Sequence, residues 1–319
     1  MSHMSNPLAT PRQLYQRRSF SSLPSELQDA IFFATQCLTQ AAGVLLKLPQ
    51  SATAQANVLL ARYWLVEPFM SHEFSDISAA SIYLVAKVGP SPRSPRHVSN
   101  VYAYLLSTSS SFFRSPSLPP PSNNPSSYYL SDSAYQSFHN RILAAEARIL
   151  YALSFNTHVS LPHPLAVTYL QTLDFLYVRK EKISKRALAY LNTSLLSPQM
   201  LYLTSQPNAL AVAAIYNAAK DIGAKMPECE WWEVFDVDRE ELGFLVVAMR
   251  SLEGSARKMR EDVPAMTEGM ITRKTIEDEM KRRGLYAGNG YDMDSKALDP
   301  EAEMARQMDE KMAAMEAAR

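Results

Sequence analysis

Histidines, cysteines and closely spaced aspartates are the residue types here that could do chemistry, and their spacing argues against most of it. His158 and His163 stand five positions apart across Pro162, which does not put two imidazoles on one helix face, and no H-E-x-x-H occurs. Asp236-Val237-Asp238 and Asp292-Met293-Asp294 open like calcium loops, yet Glu241 and Ala297 hold the sixth position where such loops need glycine. Cys37 and Cys229 lack a second Cys or His at metal-ligand spacing, so a zinc ribbon is excluded and both read as buried small apolar residues in a reducing compartment. Neither G-x-x-x-x-G-K-[ST] nor G-x-G-x-x-G is present, which removes the common phosphate cradles. The chain is therefore expected to have no catalytic residues, no metal and no cofactor. One covalent chemistry could still be done to it. Ser91-Pro92-Arg93 and Ser94-Pro95-Arg96 repeat one pattern, making Ser91 and Ser94 candidate sites of proline-directed phosphorylation, although Ser-Pro pairs also read as turns.

Bulk composition narrows the partner. Lys plus Arg and Asp plus Glu are balanced at 32 each, so no global charge draws the chain to nucleic acid or to an anionic membrane. A protein partner fits better. With 319 residues, 47% of them hydrophobic, two domains of ordinary size can each bury a core. The 9 glycines are few, and hairpins and phosphate loops both consume glycine, so helices are favoured. No basic flank precedes an apolar N-terminal stretch, and Ala30 to Leu46 carries Thr35, Gln36, Thr39 and Gln40 on one side, which suits a core helix rather than a bilayer span.

The elements that must position any site are thus helices. Ser25 and Gln28 read as an S-x-x-Q capping box opening a helix whose apolar face, Leu27, Ile31, Ala34, Leu38, Ala41, Leu45 and Leu48, recurs at three- and four-residue steps to Pro49. A second helix follows over 52–66. A third, Ile77 to Val88, capped by Ser75 or Asp76, is apolar on nearly every side and rich in Ala and Ser, which marks the central helix of a bundle. Residues 107–133 are Ser-, Pro- and Asn-rich and read as a flexible insert. Helix returns over 134–153, and Pro162 and Pro164 mark a boundary. Beyond it, 165–175, 184–195, 209–222 and 240–252 read as helices, and a charged tail carries helical stretches at 271–283 and 300–319. Ala80-Ser81-Ile82-Tyr83-Leu84-Val85-Ala86-Lys87 reappears as Ala213-Ala214-Ile215-Tyr216-Asn217-Ala218-Ala219-Lys220 at a constant offset, 213 − 80 = 133. That offset implies duplication of a whole domain rather than a solenoid.

Two helical bundles, each built round an A-[SA]-I-Y-x-x-A-K helix, resemble the cyclin fold. Leu59-Leu60-Ala61-Arg62-Tyr63-Trp64 is similar to the second helix of a first cyclin box, and Ile77 to Lys87 to its third. Glu146-Ala147-Arg148-Ile149-Leu150-Tyr151-Ala152-Leu153-Ser154-Phe155 is similar to its fifth. The junction Asn156-Thr157-His158-Val159 with Pro162-His163, the segment Tyr190 to Leu195 and Trp231-Trp232-Glu233-Val234-Phe235 resemble the cyclin L branch, as do Arg93, Arg96, Val98, Asn100 and Val101.

The resemblance covers 23–252. It implies an all-α fold of two tandem five-helix cyclin boxes, 23–160 with its insert and 161–258, after an N-terminal tail of 1–22 and before a charged helical tail of 259–319. It also implies a regulatory subunit that forms a heterodimer with a cyclin-dependent protein kinase acting in transcription or pre-mRNA splicing, in the nucleus, with no direct nucleic acid and no membrane. Lys87 and Glu146 match the charged pair that cyclins place on the kinase-facing surface; on its own Lys87 reads as a lysine at a helix C-terminus. The sequence departs from the pattern where Val88-Gly89-Pro90 follows Lys87 in place of two acidic residues. A cyclin-fold transcription factor clamping DNA, or a scaffold without a kinase, remains the alternative, although the former would need a basic face and usually a zinc ribbon.

Overall fold

The computed structural model of the protein describes residues 5–107, 109–112, 126, 128–174 and 180–285, and every regular element among them is a helix. Most of the expected insert, the tail stretch 300–319 and Asp292–Asp294 lie outside the described residues. The chain forms two compact units, Met1–Ile276 and Glu277–Arg319. Within the second, the Glu279 carboxylate accepts hydrogen bonds from Arg282 and Arg283, the shortest at 2.7 and 2.6 Å.

The first unit opens with α1 (Pro11–Ser19), a helix not expected in the N-terminal tail, whose capping box joins Thr10 and Gln13. Helices α2 (Ser25–Leu45), α3 (Gln50–Val66) and α4 (Phe74–Val88) follow, then α5 (Pro95–Leu106) and α6 (Asp132–Ala152). Two expected caps do not form. Ser25 is already the first residue of α2, with Pro24, which has no N–H, at the N-cap, and the buried Gln28 instead donates its amide to the carbonyls of Leu23 at 2.8 Å and Arg18 at 3.2 Å. Ser75 and Asp76 lie inside α4, which starts at Phe74, because Arg141 takes the Asp76 carboxylate at 2.9 Å. Helix α5 supplies the fourth helix that a five-helix box requires, which no periodicity places. Pro95 occupies its first turn and Ser94 its N-cap, the Ser94 hydroxyl accepting from the His97 amide at 3.3 Å.

Helix α4 is hemmed in by α2, α3, α5 and α6. It can be, because Ser75, Ser78, Ala79, Ala80 and Ser81 are all buried and small enough for close approach. A buried hydroxyl chain runs through it, from Thr39 on α2 to Ser78 at 2.7 Å and on to the Tyr102 hydroxyl on α5 at 2.7 Å. Gly43 lets α2 meet α3, since a Cβ there would stand 2.3 Å from the Thr53 hydroxyl. Trp64 closes the far end, its ring 5.0 Å from Phe69 and 6.2 Å from Phe74.

The second half of this unit is α7 (Pro162–Thr172), α8 (Lys180–Ser194), α9 (Leu201–Thr204), α10 (Pro207–Ile222) and α11 (Arg239–Asp262), followed by the short α12 (Ala265–Glu268); α13 (Arg273–Arg282) crosses into the second unit. Helix α10, the repeat of α4, packs against α7, α8, α9 and α11. The halves meet where α11 crosses α2, with Phe33, Leu252 and Met259 in one buried cluster beside Cys37. Burial pushes the Cys37 thiol up to about 12. Cys229 departs from the expectation: it is exposed, in the loop after α10 where no helix covers it.

Two histidines tie loops and helices as neutral rings. Asn192 Oδ1 accepts from Gln50 at 3.0 Å and lies 2.9 Å from His163 Nε2, so that nitrogen carries the ring proton and Nδ1 is left buried without a partner. Burial lowers the His163 pKa against the opposing hydrogen bond that its ring donates to Asn192. His72, whose Nδ1 lies 2.9 Å from the Tyr63 hydroxyl, is lowered by burial and then by the charges of Arg148 and Arg273. Below about pH 6.5 the unfolded chain binds these two protons more readily than the folded one, so their contribution to stability is present above that value and is lost as pH falls. Thermal midpoints should therefore fall between about pH 7 and 5.5, and the double variant His72→Gln with His163→Gln should flatten that slope. The window stops there because burial raises the pKa of Glu73, Asp76 and Glu241, which act in the opposite sense at lower pH.

Candidate functional site

Helix α4 carries Tyr83 and Lys87 on the side that leaves the core, four residues apart, with the Lys87 ammonium 5.5 Å from the Tyr83 ring centre. Helix α6 presents Phe138, Ile142, Ala145 and Ile149 to the core at helical spacing. Glu146 falls at the edge of that stripe, so its carboxylate is drawn out of water. Lys87 Nζ meets Glu146 Oε1 at 2.6 Å, with the glutamate side chain 7% exposed and the lysine side chain 51% exposed. The two residues singled out from sequence thus come together. The hydrogen bond that Lys87 donates to Glu146 raises the Lys87 pKa, against some desolvation. An ammonium has three donors and Glu146 uses one, which leaves donors for an acceptor on another molecule.

Beside the pair lies an apolar surface. Leu143, Ala147, Leu150 and Tyr151 continue along α6 at helical spacing, with Leu143 and Tyr151 exposed, Tyr151 to 73%. Tyr151 meets the exposed Phe155 edge-on at 5.7 Å, and Val88 is exposed just beyond Lys87. Sequence reasoning put the pair on a partner-facing surface but did not name these side chains, since leucines and alanines in a helix do not say which ones have neighbours. A second tie, Arg141 to Asp76, fixes α6 along α4; burial raises the Asp76 pKa, with Arg141 opposing.

The serines expected as modification sites sit next to this region in sequence. Ser91 is half-buried in the α4–α5 connection, and Ser94 is exposed at the start of α5. Between them Arg93 donates to the carbonyls of Leu46 at 2.8 Å and Lys47 at 3.0 Å, capping the C-terminal end of α2. Among the described residues, no group of three or more His, Cys, Asp or Glu is placed to hold a metal ion, and no helix is long and apolar enough to cross a membrane.

The second half ties its central helix with the charges exchanged. Asp221 stands 133 residues after Val88, next to the matched Lys220, and accepts from Arg186 at 2.7 Å, Tyr190 at 2.8 Å and Arg250 at 2.5 Å. Desolvation pushes the Asp221 carboxyl up, but those hydrogen bonds and the arginine charges outweigh it and hold it below the usual range. Arg250 also binds Asn217 at 2.6 Å. This carboxylate is saturated by its own chain.

The all-helical architecture of the described residues is a cyclin fold, as its likeness to solved structures shows. A chain of the yeast RNA Pol II CTD kinase CTDK-1 complex shares it with a TM-score of 0.62, covering 88% of this chain and 84% of that one at 16% identity. No family model matches the sequence. Cyclin-L2 of Mus musculus, however, is 32% identical over 263 residues, which is 82% of this chain and 47% of the relative. Cyclin-L1 of Homo sapiens is 34% identical over 221 residues, 69% of this chain and 39% of the relative. The chain belongs to the cyclin family and is cyclin L-like. It spans about half the length of the curated relatives it matches. Cyclins are regulatory subunits of kinases and not themselves enzymes.

The Asp221 hub is expected to be structural. Asp221→Asn should lower the free energy of unfolding in urea by about 1–2 kcal/mol, since charge-assisted hydrogen bonds weaken while their donors stay partly hydrated. It should leave α4, α6 and any binding by their shared face unchanged.

Proposed function

We propose that the chain is the regulatory subunit of a cyclin-dependent protein kinase, with which it forms a heterodimer through the face shared by α4 and α6. The observation that carries this reading is the Lys87–Glu146 pair: a nearly buried carboxylate held by a half-exposed ammonium beside the apolar row from Leu143 to Phe155. That combination suits a protein partner that supplies an acceptor to Lys87 and an apolar helix to the row. Interfaces place such anchored charges within apolar surroundings, where desolvation makes loss of one member costly. The fold relative's place in a CTD kinase complex supports a kinase partner.

On this reading α4 and α6 pack against the kinase's mobile regulatory helix. Packing there holds the kinase's own active-site lysine and glutamate together and orders its activation loop. The phosphoryl-transfer groups and the magnesium belong to the kinase, so this chain needs no cofactor. The cyclin L resemblance points the complex to transcription or pre-mRNA splicing in the nucleus, with two cyclin boxes dividing at about residue 160. Phosphate added at Ser94 would sit at the N-terminus of α5, where the helix dipole favours an anion. Added at Ser91, it would place negative charge near where relatives keep acidic residues after the lysine.

Pull-down of the chain from native extract should bring a cyclin-dependent kinase with it. Lys87→Glu and Glu146→Lys should each weaken that association by about 2–5 kcal/mol, enough to lose the kinase from the beads. Retention of the kinase by both folded variants would show that the docking face lies elsewhere. Recovery of DNA or other proteins without a kinase would favour the cyclin-fold transcription factor or scaffold.

A further inference from the structure

A cleft of about 360 Å³ lies between α1 and the C-terminal end of α3, and none of its lining residues belongs to α4 or α6. Its floor is Trp64 and Phe69, both buried. Phe20, 81% exposed, and Val66, also exposed, form an apolar rim. The Arg17 guanidinium reaches in from α1, 4.9 Å from the Phe69 ring centre and 5.7 Å from that of Phe32.

Arg17 is charged, desolvated and without an acceptor. Its Nε and Nη2 atoms are buried with no hydrogen-bond partner, and so is Trp64 Nε1 beside it. Burial pulls the Arg17 pKa down to about 10, only partly offset by the charge of Asp29. Asp29 itself is held through both oxygens by Arg18, at 3.0 and 3.1 Å. Glu67 lines the same cleft but is not within ion-pair distance of Arg17. Folded chains rarely leave the bidentate edge of an arginine buried and empty, because each orphaned donor forfeits its hydration.

We propose that this cleft docks a short peptide segment of another protein, in which one Asp or Glu side chain binds Arg17 and a neighbouring large apolar side chain lies on Trp64 and Phe69 between Phe20 and Val66. The one unpaired guanidinium can balance a single negative charge and not two, and Glu67 beside it disfavours a second, which selects a carboxylate over a phosphate. Helix α1 contributes no fully buried residue, and its hydrogen bonds to α2 run through Arg18 rather than Arg17. The site is independent of the kinase reading.

The test is fluorescence anisotropy of the full chain with labelled hexapeptides carrying Asp or Glu next to Leu or Phe. Acidic members should bind at least about tenfold more tightly than their Asn or Gln counterparts, and Arg17→Gln should erase that preference. Phe20→Ala changes an exposed side chain and should keep the thermal midpoint while weakening every peptide by about three- to tenfold, so the test stands even if Arg17→Gln loosens α1. Glu67→Gln should tighten binding. Absence of an acidic preference, indifference to both Arg17→Gln and Phe20→Ala, or a preference for phosphoserine over Asp would overturn the proposal.

Discussion

A helix surrounded on all sides can exist only if its side chains are small enough for its neighbours to reach it, and both halves of the first unit are organised by that constraint. Ser78, Ala79, Ala80 and Ser81 in α4, and Ala211, Ala213, Ala214 and Ala218 in α10, leave no room for solvent and present little bulk. Four helices close around each. The dispersion and burial gained there outweigh the modest helix propensity of serine, whose hydroxyls are satisfied within the bundle at Ile77, Thr39 and Tyr102.

Where such a helix leaves the core its surroundings change, and charge appears. At the end of α4 the carboxylate sits on the outer helix α6 and the cation on the central one, half in water. At the end of α10 the carboxylate sits on the central helix and the outer helices supply arginines. The first arrangement keeps donors free next to exposed apolar side chains, and the second uses up its acceptor. One repeat therefore leaves donors beside exposed apolar side chains, while the other closes on itself.

The junction between the halves carries backbone polar groups that need partners. The N-terminal segment supplies them: Asn6 exchanges hydrogen bonds with the Ser160 backbone, both at 2.8 Å, while its own backbone is paired with Gln206 at 3.0 and 3.1 Å. Arg62 adds a bond to the His158 carbonyl at 2.8 Å, and Gln55 one to Thr157 at 3.1 Å. Residues that look like an unstructured lead-in thus hold the halves in register. Arg62, quoted from sequence only as part of a helix motif, is one of the side chains that reach the junction.

Periodicity and residue size determined much by themselves: the helices near 25–45, 50–66, 74–88, 132–152 and 207–222, the central standing of α4 and α10, and their 133-residue offset are legible because they follow from local spacing. The start signals of α1 and α5 were also present, in Thr10-Pro11 with Gln13 and in Ser94-Pro95, but neither helix has the long apolar stripe that draws attention to such signals. Lys87 and Glu146 could be named from their motif, whereas the 2.6 Å between them is set by how α6 crosses α4. Only the tertiary structure decided that Asp76 would serve Arg141 instead of capping a helix, that Asp221 would gather three donors, and that Arg17 would be buried without one. The reason is physical: burial and pairing depend on neighbours distant in the chain, and local sequence carries no record of which helix arrives beside which.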